Sequence, residues 1–475
     1  MNDEELTRRI DAYINAHWED VVADIDDLVR IPSVEELDKA AENAPFGPGP
    51  RAALTAALDK AAAMGLATHD VDGYLGFADL PGETDTQIGI IGHVDVVPAG
   101  PGWTFEPYAV TRREGFLLGR GVIDDKGPSV VALHAVKFWK ELQDEGAAAR
   151  FPYTIRFMFG VNEETGMGDV AYYRQRYADP AFLFTPDAEF PVCYGEKGCY
   201  DADIASKPIP AADRTVIELV GGAATNAVPG QAHALVRADA DALPSAERIT
   251  VSQVEPGLVR IEAAGKSAHA SLPEGGVNAI GLVVRYLLDN DLCSPDERAY
   301  FELTSKLVSC SDGSGLGIAC SDEYFGALTA VGGIARMEGG RFVQTLDARY
   351  PTSTTGEALE ARLQELAGTV GATAATTRNE VPFLTKPDSP VIQALLSAYN
   401  EATGEQAEPF TMGGGTYARH FTRGASFGPE KPWETYPEWV GQMHGPDEGV
   451  SEELLKQAFK IYALTIGKLM ELDLR

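Results

Sequence analysis

The chain has 475 residues, and its 71 acidic side chains outnumber its 39 lysines and arginines, which gives a formal net charge of −32 at pH 7. Hydrophobic residues make up 44% and charged residues 23%, an ordinary balance for a folded protein that excludes extensive disorder and collagen. Binding to nucleic-acid backbones or anionic membranes requires clustered positive charge, and the sequence contains no lysine and arginine cluster of that kind. We therefore expect no nucleic-acid partner and no membrane association.

The five cysteines are an odd number and contain no CxxC pair, so neither a zinc ribbon nor a disulfide framework is predicted. The N-terminal segment is charged and lacks the apolar core of a signal peptide. No apolar run is long enough to cross a membrane. These observations predict a cytoplasmic protein with reduced thiols.

The first part of the chain alternates helical and strand patterns. Apolar residues recur every three or four positions over 6–28, which predicts an amphipathic helix, and a second helix is predicted at about 51–64. Short apolar runs then alternate with helical segments, as in a mostly parallel sheet covered on both faces. The predicted strands are 88–92, 154–161 and 181–185, and the predicted helices are 130–142 and 169–177. This pattern indicates an α/β layer domain.

The pattern changes after about residue 196. Predicted strands alternate apolar and polar positions there, which is typical of an antiparallel sheet with one covered face. The strands are predicted at 215–220, 232–239, 257–265 and 342–351, and the helices at 277–288 and 357–368. Helical and glycine-rich segments resume after Pro387. We therefore predict an α/β domain, formed by 1–196 and 387–475, that is interrupted by an inserted α+β domain at 197–386.

Polar side chains follow the first predicted strand and precede the next helix. His93 and Asp95 come directly after the strand, and a carboxylate two residues from a histidine can orient its ring for metal binding. Asp124 and Asp125 are adjacent carboxylates just before a helix. Such carboxylates repel each other unless a cation lies beside them.

Acidic residues also follow the next two predicted strands. Glu163 and Glu164 follow the second strand, Asp187 follows the third, and His444 lies near the C-terminus. Each motif alone fits a polar pair or an acidic helix start equally well. The carboxyl ends of successive strands in an open α/β sheet meet at one crevice, however. We therefore expect these side chains to lie together.

We predict that the crevice binds two divalent metal ions through nitrogen and oxygen donors. The predicted ligands are His93, Asp124, Glu164, Asp187 and His444. This set suits Zn²⁺ best, and Mn²⁺ and Co²⁺ are also compatible with it. Between two ions about 3.5–4 Å apart, a bridging water becomes a nucleophile near neutral pH. We expect Asp124 to bridge the ions and Glu163 to act as the general base.

The inserted domain contributes further candidates for substrate binding. Asn226 and His269 are predicted to donate hydrogen bonds to a tetrahedral oxyanion, and Arg349 is predicted to hold a carboxylate bidentately. Taken singly, a loop histidine or a strand arginine is more often solvated. Backbone donors for the same carboxylate are predicted in the loop GGGTYAR, at Gly414, Gly415 and Thr416.

Six motifs resemble those of one family, in the order HVDVVPAG, GRGVIDDKGP, GVNEETG, TPDAEFPV, GKSAHAS and MHGPDE. They are similar to the dinuclear-metal exopeptidases, a family that includes carnosinases, aminoacylases, acetylornithine deacetylases and carboxypeptidase G. The forms GRGVIDDKGP and TPDAEFPV, with GGAATNAVPG and GGGTYAR, look closest to the bacterial dipeptidases of the PepV type.

The resemblance implies an assignment of ligands to the two ions. His93 and Asp187 would hold one ion, Glu164 and His444 the other, and Asp124 would lie between them. It also implies that the peptide bond after Asp124 is cis. Asp95 would be the partner of His93, and Asn226, His269 and Arg349 match the residues of the family's lid domain.

The resemblance further implies a phosphorylase/hydrolase-like catalytic domain at 1–196 and 387–475 and a lid domain at 197–386. Relatives with a lid of about half this length dimerise and share a lid histidine between subunits. The PepV type has an enlarged lid and supplies its own histidine. We therefore expect one chain to be catalytically complete, as a monomer or a weak oligomer.

The sequence thus predicts a metal-dependent dipeptidase, which hydrolyses short peptides with a free C-terminal carboxylate through a metal-bridging water. An N-acyl amino-acid deacylase is an alternative that uses the same catalytic residues. A non-catalytic binding or scaffold protein would be expected to lose ligands or the base, all of which are present. A metal-dependent phosphodiesterase would use similar chemistry, but the acidic charge weighs against nucleic-acid substrates.

Overall fold

The computed structural model of the protein describes residues 1–474, which form two compact units. The first unit contains Met1–Tyr194, Leu384–Phe410 and the segment from Gly415 to the end of the described chain. The second unit contains Gly195–Phe383 and the short segment Thr411–Gly414. The first unit is therefore discontinuous in sequence.

A mixed sheet forms the centre of the first unit. From one edge, its strands are Ala67–Val71, Leu75–Leu80, Thr154–Gly160, Gln87–His93, Phe182–Thr185 and Gly424–Ser426. The sheet is completed by Cys193–Glu196, Phe383–Leu384 and Phe410–Met412. The four strands from Thr154–Gly160 to Gly424–Ser426 run parallel to one another, and the three that were predicted from apolar runs are buried over nearly all their length. The mostly parallel core predicted from the sequence is confirmed.

Helices cover the sheet of the first unit. They span Asp3–Val29, Pro48–Ala63, Lys126–Asp144, Gly168–Arg174, Pro390–Thr403 and Glu452–Leu469. The first helix begins where the side chain of Asn2 accepts a hydrogen bond from the backbone N–H of Glu5 at 2.9 Å, which satisfies a free donor of the first turn. Its buried face carries the apolar residues that recur every three or four positions. The helical pattern in the sequence is thus the packing face of the helix.

Short strands form small sheets at the edges of the first unit. Thr111–Arg113, Phe116–Leu118 and Gly449–Ser451 make a three-stranded sheet, and Ala188–Glu189 pairs with Pro429–Glu430. The pairing of Gly449–Ser451 with Phe116–Leu118 is antiparallel. Residues near the C-terminus are therefore fixed beside the chain that leads into Asp124.

The second unit is an antiparallel sheet covered by helices. In spatial order its strands are Ile249–Glu255, Leu258–Ala264, Gln231–Val236, Val216–Gly221, Ala335–Glu338, Arg341–Tyr350, Gly198–Ala205 and Thr373–Glu380, and Thr329–Val331 pairs with Arg341–Tyr350. Its helices are Ala279–Asp289, Pro295–Val308 and Gly356–Gly368. Two strand pairs are short, Ala227–Val228 with Ala268–His269 and Ser321–Asp322 with Gly326–Ala327. The sheet and helices share one apolar core, so the predicted α+β class is confirmed.

The helix Pro295–Val308 was not predicted, although its start carries a clear signal. Ser294 accepts from the backbone of Glu297, and the Glu297 side chain accepts from the backbone of Ser294, which is a capping box. Within residues 1–474, no helix is both long enough and apolar enough to span a bilayer.

Candidate active site

The parallel strands of the first unit end at a common edge, and the predicted site lies there. His93 is the last residue of its strand, and Glu163 and Asp187 follow the two neighbouring strands by a few residues. Gly92 lets the next helix approach this edge, because a Cβ atom there would lie 1.8 Å from Oγ of Ser129. The strand order alone therefore brings together residues that are far apart in sequence.

Asp124 lies between the two histidines. Its Oδ1 is 3.0 Å from Nε2 of His93, and its Oδ2 is 2.9 Å from Nε2 of His444. The peptide bond between Asp124 and Asp125 is cis, as the family resemblance implied. Each carboxylate oxygen of Asp124 thus faces a different imidazole.

The remaining carboxylates divide between the two histidines. Glu164 Oε2 lies 3.0 Å from Nε2 of His444, and Asp187 Oδ2 lies 3.7 Å from Nε2 of His93. Two groups of residues each place three potential ligand atoms within 4.8 Å of one another. One group is His93, Asp124 and Glu164, and the other is His93, Glu163 and Asp187. Because Glu163 belongs to the second group, its carboxylate could either bind a metal ion or lie beside the residues that bind it.

The proximity of these groups changes their pKa values. Burial would raise the pKa of Asp124, but hydrogen bonds from His444 and His93 lower it well below its usual value. Burial raises the pKa of Asp187 to about 7 and, with the charge of Asp187, raises that of Glu163 well above its usual value. Hydrogen bonds with Asp124 and Glu164 raise the pKa of His444 to about 10. The site therefore favours added positive charge.

Asp95 contacts both the ring of His93 and the backbone of Glu164. Its Oδ1 lies 3.4 Å from Nδ1 of His93, while its backbone oxygen lies 3.0 Å from the same nitrogen. Its Oδ2 accepts a hydrogen bond from the backbone N–H of Glu164 at 3.2 Å. Nε2 of His93 is consequently turned towards the carboxylates, as expected of a metal-binding histidine.

The donor set fits divalent cations. Four carboxylates, those of Asp124, Glu163, Glu164 and Asp187, surround two imidazoles, and no thiolate belongs to either group of potential ligands. Unpaired carboxylates at these separations repel one another, and a mixture of imidazole and carboxylate donors suits Zn²⁺, Mn²⁺ or Co²⁺. The residues can therefore hold metal ions.

Two further residues, missed from the sequence, brace the Glu163 loop. Asp169 is fully buried, and its Oδ2 accepts from the backbone N–H groups of Val161 and Asn162 at 2.7 and 3.1 Å. The hydroxyl of Tyr417 donates to the same oxygen. Gly160 leaves room for this hydroxyl, because a Cβ atom there would lie 2.1 Å from it. In the sequence, Asp169 is recognisable only as an aspartate at the start of the helix that follows Glu164.

The second unit contains the predicted residues Asn226, His269 and Arg349. Asn226 lies immediately before the short strand Ala227–Val228, which pairs with Ala268–His269, and its backbone oxygen accepts the backbone N–H of Ala270 at 2.9 Å. Partial desolvation of the imidazole, together with the charge of Arg349, lowers the pKa of His269 and favours the neutral ring. Both Asn226 and His269 are exposed.

Arg349 is held rigidly within the second unit. Its Nε and Nη2 donate to the two carboxylate oxygens of Asp347 at 2.8 and 2.7 Å. Its Nη1 lies 2.8 Å from Sγ of Cys199 and donates to the backbone oxygen of Gly413 at 3.3 Å. Both side chains of the ion pair are almost fully buried. The guanidinium orientation is therefore fixed by Asp347.

The predicted loop donors lie in both units. Gly414 belongs to the second unit, whereas Gly415 and Thr416 belong to the first. The Thr416 hydroxyl lies 2.9 Å from Oγ of Ser426 and accepts from the backbone N–H of Ala418 at 3.1 Å. The substrate-binding roles of these residues stay predictions.

Comparison with known proteins gives the family. Residues 89–468 match the family model described as peptidase family M20/M25/M40. Two similar relatives are described as putative dipeptidases: YtjP of Bacillus subtilis, 30% identical over 95% of this chain and 97% of the relative, and SSP1012 of Staphylococcus saprophyticus, 32% identical over 94% and 97%. Human carnosine dipeptidase 1 has a similar fold, with a TM-score of 0.58, 15% identity and coverage of 98% and 99% of the two chains.

These matches extend over most of the chain and confirm the family resemblance that six motifs had indicated. They also agree with the mixed α/β architecture of two units. The protein belongs to peptidase family M20/M25/M40 and is a peptidase hydrolase.

Proposed function

We propose that the protein is a metal-dependent dipeptidase that cleaves short peptides with a free C-terminal carboxylate. The observation that supports this most directly is the Asp124 carboxylate, whose two oxygens face the imidazoles of His93 and His444. That arrangement suits a carboxylate shared between two cations. The description of the relatives YtjP and SSP1012 as putative dipeptidases supports the same substrate class.

We propose that two divalent ions are held in this site, with Zn²⁺ favoured and Mn²⁺ or Co²⁺ as alternatives. His93 and Asp187 would hold one ion, Glu164 and His444 the other, and Asp124 would be shared. When bound, such ions polarise a peptide carbonyl and lower the pKa of a coordinated water. Asp95 lies against Nδ1 of His93, which would leave Nε2 free to bind that ion.

Glu163 is the proposed general base. Its carboxylate takes a proton from the attacking water and later gives it to the leaving amine. Burial and the charge of Asp187 raise the pKa of this carboxyl, which is the direction that favours its holding the transferred proton. Asp169 and Tyr417 hold the backbone that leads into Glu163.

The second unit is the proposed lid, and the first is the proposed catalytic domain. Arg349 would bind the C-terminal carboxylate of the peptide, helped by the backbone of Gly414, Gly415 and Thr416. Neutral His269, with Asn226, would donate hydrogen bonds to the tetrahedral oxyanion. The Nε and Nη2 groups of Arg349 already pair bidentately with Asp347, so the proposed contact with the peptide carboxylate would use the remaining N–H of the fixed guanidinium and would not be bidentate.

A substrate panel tests the proposed activity. Unblocked dipeptides should be hydrolysed with kcat/KM at least tenfold higher than that for N-acetyl amino acids, each assayed with Zn²⁺, Mn²⁺ and Co²⁺ added separately. Faster turnover of the acetylated set would instead identify an N-acyl amino-acid deacylase. A dipeptide amide is the matched control for the carboxylate, and it should be a poorer substrate.

Removal of metal is expected to abolish activity and lower thermal stability. At a free concentration of 100 times its Kd, each ion stabilises the fold by about 2.7 kcal/mol, so two ions add about 5.4 kcal/mol. With an unfolding entropy of about 2.1 cal/mol/K per residue over 475 residues, this corresponds to a Tm increase of roughly 5 °C. Dialysis against a chelator should lower Tm by that amount, and readdition of metal should restore both Tm and turnover. Full activity at a measured metal content near zero would contradict metal dependence.

One chain is expected to contain a complete active site. If His269 acts on the substrate bound by its own chain, a mixture of Glu163→Ala and His269→Ala proteins has no intact site. Mixing the two inactive proteins should therefore restore no turnover. Recovery of about a quarter of the wild-type activity would indicate that the histidine is shared between subunits.

A further inference from the structure

A buried ion pair connects three of the loops around the proposed metal site. Nη1 of Arg120 lies 2.5 Å from Oε2 of Glu448, and the two side chains are 1% and 0% exposed. Arg120 precedes Asp124 by four residues, and Glu448 follows His444 by four residues. The pair therefore joins the chain segments that carry these two proposed ligands.

Glu448 organises the Asp124 segment through a single oxygen. Its Oε1 accepts backbone N–H groups from Gly121, Ile123 and Asp124 at 2.9, 3.2 and 3.4 Å. These donors follow one another along the turn that enters the helix Lys126–Asp144. The position of the Asp124 backbone is consequently set by a carboxylate from the His444 segment.

Arg120 organises the other two segments. Its Nη2 donates to the backbone oxygen of Gly445, the residue after His444, at 3.2 Å. The same nitrogen lies 3.5 Å from the backbone oxygens of Pro98 and Ala99, which follow the His93 strand. The planar guanidinium presents one nitrogen to Glu448 and the other to these carbonyls.

We propose that Arg120 and Glu448 are positioning residues for metal binding, which keep Asp124 and His444 at the separation that two ions require. The inference rests on the proposed metal-dependent function. His444 needs such support because it lies outside helices and strands, is exposed, and has a left-handed backbone with φ of 61°. Nothing in its local secondary structure fixes where its imidazole points.

A second ion pair in the same unit, between buried Arg156 and partly buried Asp79, provides a control. Arg156 donates to both oxygens of Asp79, at 2.9 and 2.7 Å, and contacts the ring of Phe77. Arg156 lies near the start of the strand Thr154–Gly160, so this pair is remote from the strand ends that carry the ligands. Asp79→Asn should weaken the fold and leave the metal site intact.

The test compares Glu448→Gln with Asp79→Asn. Metal affinity is measured by competition with a chelating dye, and Tm is measured with and without Zn²⁺. Glu448→Gln should bind metal about 10–100-fold more weakly, as is typical when a group that orients ligands is lost, whereas Asp79→Asn should stay within twofold of wild type. Wild-type affinity in Glu448→Gln, or an equal loss in Asp79→Asn, would overturn the proposal.

A second variant covers the case in which Glu448→Gln does not fold. Arg120→Lys retains the charge beside Glu448 and loses the reach to Gly445, so it should weaken metal binding in the same range with a smaller change in Tm. Unchanged metal affinity in Arg120→Lys would also contradict the proposal. Failure of the proposed function is distinguishable, because the wild-type protein itself would then bind no metal or hydrolyse dipeptides without it.

Discussion

Replacement of Glu163 by glutamine is expected to lower kcat for dipeptides by about 10²–10⁴-fold, the usual contribution of a general base. Glutamine keeps the size of the side chain and removes its ability to accept a proton from water. Because Glu163 is proposed to act beside the ions rather than to bind them, the variant should retain wild-type metal content and nearly unchanged KM. Metal analysis and steady-state kinetics on the same preparation check both points.

Glu164 is the matched comparison for this prediction. It is adjacent in sequence, it lies 3.0 Å from His444, and it is proposed to be a ligand. Glu164→Gln should therefore lose metal as well as turnover. If Glu163→Gln also loses metal, the group formed by Glu163 with His93 and Asp187 is a ligand set, and the assignment of the base is wrong.

The part of the site that follows from strand order was predictable. Apolar runs that end shortly before His93, Glu163 and Asp187 identified buried parallel strands, and the rule that their carboxyl ends share a crevice brought these residues together. The structure confirms the parallel pairing. Local pattern was sufficient here because the position of each residue depends on the end of one strand.

The supports of the site were not predictable in the same way. Arg120 and Glu448 are 328 residues apart, and Asp169 and Tyr417 are 248 apart. Each pair forms only when distant segments fold against each other, and an isolated arginine or tyrosine in the sequence has no periodicity to reveal it.

In the second unit, the residue that orients Arg349 could have been identified from its spacing in the sequence. Asp347 and Arg349 are adjacent on one face of the strand Arg341–Tyr350, because side chains two residues apart point the same way. Arg349 was identified from its charge, but its ion pair with Asp347 was overlooked. A residue of opposite charge two positions from a candidate arginine on a strand therefore indicates the group that orients its guanidinium.

Replacement of Asp124 by asparagine is the other change with a large expected effect. Each Asp124 oxygen faces a different imidazole, at 3.0 and 2.9 Å, and an amide supplies only one oxygen donor. The variant should hold fewer than two ions per chain. A loss of several kcal/mol of transition-state stabilisation is then expected, or roughly 10³-fold in kcat/KM, with metal content measured in parallel.

Asp125 is the matched control, because it is the neighbouring carboxylate with a different set of contacts. Its Oδ2 accepts from the backbone N–H of His93 at 3.1 Å and from the Ser129 hydroxyl at 2.8 Å. An asparagine oxygen can accept both hydrogen bonds, so Asp125→Asn should retain two ions and lose less than tenfold in kcat/KM. If Asp124→Asn keeps two ions and Asp125→Asn does not, the shared carboxylate belongs to Asp125. If excess metal restores Asp124→Asn to wild-type turnover, Asp124 contributes affinity alone, and the arrangement in which it lies between both ions is not required for the reaction.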